Sequence, residues 1–171
     1  FTSGVKENNI LPNETEVQGN HTGAIIGFAT QKGEIVHARV ASSFISYEQA
    51  ELNLKELGKD SFDQLVTKGK DIWNREMSKV DVEDDNIDNL RTFYSCLYRL
   101  YLYPNNMGEK TGEGGEGGWQ YMSPYTKTVK DGKLYYNNGF WDTYRTTWAA
   151  YSLFTPEQNN ELLLGLIHHF E

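Results

Sequence analysis

The chain has 171 residues, 38% of them hydrophobic and 13% aromatic, and a formal net charge of −8. That length can bury a core of its own, and the acidic balance argues against nucleic acid or an anionic membrane surface as a partner. No apolar run reaches the ~20 residues of a membrane-crossing helix, and no signal peptide opens the chain.

Phe1 is not an initiator methionine, and Ile167 to Glu171 stops inside a helical pattern without a cap. The expectation is a piece of a longer polypeptide, whose targeting signals would lie elsewhere. The single cysteine, Cys96, cannot form an internal disulfide. On an apolar helical pattern it reads as a buried small hydrophobe rather than a nucleophile.

Residues 1–22 are polar and carry the turn formers Pro12, Asn13, Gly19 and Asn20. Asn13-Glu14-Thr15 and Asn20-His21-Thr22 fit the N-glycosylation triplet, which matters only in a eukaryotic secretory pathway and arises often by chance in Asn-rich loops. Residues 23–45 read as β. Ala24 to Ala29 is a short apolar strand, Gln31-Lys32-Gly33 a turn, and Ile35 to Val40 alternates Val36, Ala38 and Val40 against His37 and Arg39. Two strands are marginal alone, so partner strands are expected upstream of Phe1.

From Ser46 the apolar period changes from two to about 3.6 residues. Ser46-Tyr47-Glu48-Gln49 has capping-box form and opens a helix that stops at Gly58, with Leu52 and Leu57 inward. Ser61-Phe62-Asp63-Gln64 repeats the device before Leu65, Ile72, Trp73 and Met77. Acidic residues Glu83, Asp84, Asp85 and Asp88 then open a helix with the stripe Ile87, Leu90, Tyr94, Leu97, Tyr101, ended by Pro104.

Gly108 to Gly118 is a loop. Its Gly112 to Gly117 run matches the dinucleotide G-x-G-x-x-G pattern but lacks the flanking strand and helix, and Glu113 and Glu116 would repel a pyrophosphate. Trp119-Gln120-Tyr121-Met122 and Lys133-Leu134-Tyr135-Tyr136 read as a hairpin. Thr155-Pro156-Glu157-Gln158 is a third capping box with Pro at N1, and it opens a last helix through Leu162, Leu163, Leu166 and Ile167.

Between hairpin and last helix lies Asn138-Gly139-Phe140-Trp141-Asp142-Thr143-Tyr144-Arg145-Thr146-Thr147-Trp148. Trp141, Tyr144, Trp148 and Tyr151 recur at helical spacing and would share one face, with Asp142 and Arg145 beside it. Rings that stack on sugar C–H faces, next to a carboxylate and a guanidinium that bind hydroxyls, suit a carbohydrate site. The same pattern also suits an aromatic core stripe with an i,i+3 ion pair.

Other chemistries find little support. There is no H-E-x-x-H or Cys/His cluster, so a transition-metal site built only from this chain is not expected, and the acids show no EF-hand spacing. No G-x-S-x-G or other nucleophile motif occurs. A glycosidase needs two placed carboxyls, and Asp142 finds no convincing second within these residues.

Gly139 to Thr146 resembles the WDT(Y/F)R segment of the glycoside hydrolase family 92 α-mannosidases. Three further stretches agree in order: Ser42 to Leu54, Phe62 to Trp73, and Phe93 to Arg99 with Pro104. The resemblance spans roughly residues 35–171. It implies an α+β fragment: residues 1–45 ending an N-terminal antiparallel β-sandwich, 46–82 linking helices, and 83–171 the first helices of an (α/α)6 catalytic barrel. It implies a calcium-dependent, exo-acting α-mannosidase that releases terminal α-linked mannose, often α-1,2, from glycans with inversion.

Such enzymes are commonly exported by bacteria, so a secreted, periplasmic or cell-surface location is implied. The resemblance makes Trp141 and Asp142 contacts to the terminal mannose, with Arg145 orienting Asp142. It places the general acid, the general base and most calcium ligands beyond Glu171, so the partner of this segment is the remainder of its own polypeptide. Ala149-Ala150 stands where the family often has Pro-Leu, a departure that touches helix packing. Another α/α-barrel glycosidase and a non-catalytic carbohydrate-binding segment stay open as alternatives.

Overall fold

The computed structural model describes residues 2–6, 9–137, 139 and 141–170. They form an α+β chain of small antiparallel sheets and five α-helices, in two compact units, Phe1–Ala38 and Arg39–Glu171.

The first unit is a three-stranded antiparallel sheet of β1 (Thr2–Lys6), β2 (Asn9–Pro12) and β3 (Thr22–Ile26), in the order β2-β1-β3. The β1–β2 register runs from Ser3 opposite Pro12 to Lys6 opposite Asn9, and the β1–β3 register from Thr2 opposite Ile26 to Lys6 opposite Thr22. Gly4 is required at the centre of β1, because a Cβ there would meet Val17 Cγ2 at 2.2 Å.

This corrects the sequence expectation in two places. Residues 2–12 supply strands rather than turns alone, so the partner of β3 lies within the chain. The turn at Gln31–Glu34 is present, with Glu34 N–H donating to Gln31 O at 3.1 Å and Gly33 at φ +89°. The alternating run 35–40 beyond it forms no strand, and Ile35 stays 76% exposed. Alternation shows that a segment could sit in a sheet, but a strand exists only where another backbone takes its hydrogen bonds.

The second unit begins with Arg39, whose two terminal nitrogens donate to Gly58 O and Asp60 O at 2.6 Å each. Helix α1 (Tyr47–Lys55) starts as expected at Ser46, which accepts from Gln49 N–H at 3.1 Å. The box is only half closed. Gln49 turns inward, its Nε2 donating to Asn53 Oδ1 at 2.9 Å and Lys110 O at 2.7 Å, while its Oε1 accepts from Gln120 Nε2 at 2.8 Å. Asn53 in turn donates to Glu109 Oε2 at 2.7 Å, and Phe44 N–H to Glu109 Oε1 at 2.8 Å. This buried polar network ties residues 42–53 to strand β5 (Glu109–Lys110) and strand β6 (Trp119–Met122).

Helix α2 (Phe62–Met77) has the full capping box at Ser61 and Gln64. Helix α3 (Ile87–Leu100) starts at the cap Asn86, inside the acidic run; Asp84 accepts from Asn86 N–H and Asn89 Nδ2 instead of extending the helix. Trp73 packs on Tyr98 with ring centroids 4.6 Å apart, and Tyr94 Oη donates to Val80 O at 3.0 Å. Leu97 is the buried centre of the α3 stripe, with Leu90, Phe93, Tyr94 and Leu100 half-buried around it. Cys96 is exposed, against expectation, because it lies about 100° around the helix from Leu97.

The hairpin also pairs differently from its pattern. Strand β6 lies between β5 and β7 (Val129–Asp131), whereas β8 (Tyr135–Tyr136) pairs with β4 (Asn105–Asn106). Gly132, at φ +112°, turns the chain from one sheet to the other. Helix α4 (Thr147–Phe154) and helix α5 (Pro156–Ile167) follow. The third capping box does not form: the buried Thr155 hydroxyl donates back to Tyr151 O at 3.2 Å, and Pro156 alone marks N1. The core of this unit is Leu97, Tyr121, Leu134, Tyr135, Trp148 and Tyr151.

Candidate functional site

Residues Gly139 and 141–148 join the second sheet to α4; Asn138 and Phe140 lie outside the described residues. Asn137 enters in the left-handed region at φ +68°, which asparagine tolerates well. A single 3-10 turn (Thr143–Arg145) follows, and the backbone then breaks at Thr146, with φ −125° and ψ −78°, before α4 begins. The break divides the aromatic stripe. Trp148 and Tyr151 follow it and are buried at 9% and 2% exposure, edge to face with centroids 5.6 Å apart. Trp141 and Tyr144 precede it and are 85% and 64% exposed. The four rings therefore do not share one face, and Tyr144 does not pack into the core.

Two hydroxyls hold the exposed part. Thr143 donates to Gly139 O, and Thr146 donates to Asp142 O at 2.8 Å. Arg145 Nη2 donates to Asp142 Oδ1 at 2.6 Å, and its guanidinium carbon sits 5.8 Å from the Tyr144 ring centroid. Asp142 and Arg145 side chains are 67% and 60% exposed, so the pair adds little to stability. What it does is orient: one carboxylate oxygen is engaged by Arg145 while the carboxylate keeps further acceptor capacity. The structure thus brings Trp141, Asp142 and Arg145 into one short exposed segment.

The buried rings behind this segment anchor it. Tyr151 Oη donates to Leu100 O at 2.9 Å and lies within hydrogen-bond reach of Tyr103 O, fastening α4 to the end of α3. Burial, with the neighbouring Tyr101, pushes its hydroxyl up to about 12. A second anchor is Glu161 on α5, which accepts from Lys133 Nζ at 2.6 Å and from Tyr135 Oη. Burial alone would raise the Glu161 carboxyl, but the Lys133 and Tyr135 hydrogen bonds outweigh it and hold it below its ordinary value.

A cavity of about 350 Å³ adjoins the segment, lined by Arg99, Tyr103, Asn137, Gly139, Thr143 and Thr147 among others. The sequence did not single out Arg99, Asn137 or Thr147 as site residues; they come together because α3 ends beside the start of α4. Among the described residues no group of three or more Asp, Glu, His or Cys side chains could hold a metal ion.

The profile of the glycosyl hydrolase family 92 catalytic domain matches residues 49–171. Among solved structures, a family GH92 inverting mannosidase from Bacteroides thetaiotaomicron superposes with a TM-score of 0.81 at 34% identity, over 97% of this chain and 22% of that one. A GH92 α-mannosidase from the same organism, solved with mannoimidazole, gives 0.73 at 22% identity over 99% of this chain and 22% of that one, a likeness of fold. The chain thus spans about a fifth of the length of the solved enzymes it matches. The comparison with curated proteins returns no match. With more than half its length matched by the family profile, the chain belongs to glycosyl hydrolase family 92.

Proposed function

We propose that this chain is part of an exo-acting α-mannosidase that removes terminal α-linked mannose, with α-1,2 linkages preferred, from glycans with inversion of configuration. The observation that carries this reading is the exposed Trp141, followed in the chain by Asp142 whose carboxylate Arg145 holds at 2.6 Å, inside a segment matched by the family profile. A solved relative at 34% identity is an inverting mannosidase, which supports both substrate and stereochemistry.

In this reading Trp141 stacks on the terminal sugar and Asp142 accepts from its hydroxyls. Such contacts count toward rate only where they strengthen in the transition state. Arg145 is a positioning residue that fixes the carboxylate. The acid and the base, roughly 6.5–9.5 Å apart to admit a water, come from the rest of the polypeptide, as do the ligands of a calcium ion. The same reading makes residues 1–45 the end of a β-sandwich, 46–82 linking helices, and 83–171 the start of an (α/α)6 barrel, in an exported bacterial enzyme.

The test is the intact enzyme on α-linked mannobioses. Asp142→Ala should lower kcat/KM by ~10²-fold or more, through lost hydroxyl contacts in the transition state. A chelator should abolish mannose release. A folded Asp142→Ala enzyme with normal kinetics would remove Asp142 from the site, and release indifferent to chelation would refute the calcium dependence.

A further inference from the structure

Helices α2, α4 and α5, the end of α3 and strand β8 converge on a cavity of about 250 Å³. The rings of Trp73, Tyr101, Tyr135 and Tyr151 line it, together with two acids, Glu76 and Glu161. Among the described residues no lysine or arginine lines it. Lys79 and Lys133, which pair with those carboxylates at 2.6 Å each, lie outside the lining.

Most of the polar atoms around the cavity are already used. Tyr135 donates to Glu161, Tyr151 to Leu100 O, and Thr155 to Tyr151 O. Two atoms stand apart. Tyr101 Oη is buried and finds no protein partner. Glu76, whose side chain is 20% exposed, gives Oε2 to Lys79, while its Oε1 has Arg75 Nε at 3.7 Å, beyond hydrogen-bond distance. Burial, and then the Glu76 charge, push the Tyr101 hydroxyl above its ordinary value, so these two groups feel each other.

A buried hydroxyl without a partner is destabilising, and a carboxylate in a low-dielectric setting attracts positive charge. Aromatic rings present the negative face of their quadrupole, and rings gathered around one space hold ammonium groups. The chain displays this attraction itself, since Lys79 Nζ sits 5.9 Å from the Tyr101 ring centroid. An anion would be repelled by both carboxylates, and a neutral ligand gains nothing from their charge. The volume lies below the roughly 300 Å³ at which drug-sized pockets begin, which suits a small head group.

We propose that this cavity binds a small organic cation, a quaternary ammonium that carries a hydroxyl. Glu76 supplies the charge, the four rings the cage, and Tyr101 Oη the hydrogen bond to the ligand hydroxyl. The competing account is a packing gap in which Lys79 alone answers Glu76. Binding there is independent of the mannosidase reading and is measured without turnover.

The intact protein is titrated calorimetrically, at fixed ionic strength, with choline, with tetramethylammonium and with 3,3-dimethyl-1-butanol, the neutral carbon isostere of choline. Choline should saturate with a Kd of about 1 mM or below, and the isostere should bind at least ~10-fold more weakly. Glu76→Gln keeps the shape and removes the charge, so it should weaken choline roughly 10-fold and leave the isostere within about 2-fold. Tyr101→Phe keeps the ring and removes the hydroxyl, so it should weaken choline ~3- to 10-fold and leave tetramethylammonium within about 2-fold. Circular dichroism melts report that each variant is folded, and the choline-to-isostere ratio on the parent protein needs no variant at all. Absence of saturable choline binding, equal affinity for the isostere, or a folded variant of either kind that binds choline as the parent does overturns the assignment.

Discussion

Glu109→Gln alters a single group in a network whose every bond is accounted for. The Glu109 side chain is buried, and its two oxygens accept from Phe44 N–H at 2.8 Å and Asn53 Nδ2 at 2.7 Å. Glutamine has nearly the same shape but one acceptor, so whichever way the amide turns, its NH2 meets a donor. One hydrogen bond to a charged group is lost, worth ~1.5–3 kcal/mol, and one buried donor is stranded at ~1–3 kcal/mol. The two costs overlap, and Asn53 retains Ser42 O as a second acceptor at 2.9 Å. The expected destabilisation is about 2–4 kcal/mol, or roughly 5–12 °C in Tm for a chain of this size. Urea denaturation followed by tryptophan fluorescence and circular dichroism measures it. In an Asn53→Ala background the same substitution should cost at least ~1 kcal/mol less, since one donor is already gone. A Glu109→Gln protein within ~0.5 kcal/mol of the parent would show that the carboxylate is not the node described here.

Gly165 of α5 faces β8 so closely that a Cβ would lie 2.2 Å from Tyr135 Cδ2 and 3.1 Å from Lys133 O. Although alanine favours helix by about 1 kcal/mol, Gly165→Ala should therefore destabilise by ~1–3 kcal/mol in thermal melts, and a rise in Tm would refute the packing. Tyr151 has its hydroxyl raised from 10.0 to about 12, so the folded state holds that proton more tightly than the unfolded chain. The associated stability is intact below pH ~10 and falls by roughly 2–3 kcal/mol as pH rises through the folded value. Tyr151→Phe should cost ~1–3 kcal/mol at neutral pH and flatten this alkaline decline; an unaltered pH dependence would contradict it.

Legibility from the sequence followed the range of the forces involved. Helix starts were readable wherever a cap is a local event: Ser46 and Ser61 accept from amides three residues on, as written in the chain. The Ser46 box failed to close because Gln49 found better partners 61 and 71 residues away, in Lys110 and Gln120. Strand pairing fared worst. The runs 119–122 and 133–136 were recognisable as extended, yet each pairs elsewhere, since backbone hydrogen bonds carry no residue identity. Cys96 was misplaced by a small error in stripe phase, which is enough to move a side chain from core to solvent.

The sequence alone determined the composition of the Trp141–Arg145 segment, the i,i+3 spacing that joins Asp142 to Arg145, and family membership, because all of these are short-range or cumulative along the chain. Only the tertiary structure decided which aromatics are buried and which are presented. The backbone break at Thr146 lets Trp148 and Tyr151 serve the core while Trp141 stays exposed, and no periodicity encodes it. The tertiary structure also brought Arg99 beside Asn137 and Thr147, residues that share no local motif and meet because Tyr151 fastens α4 to the end of α3.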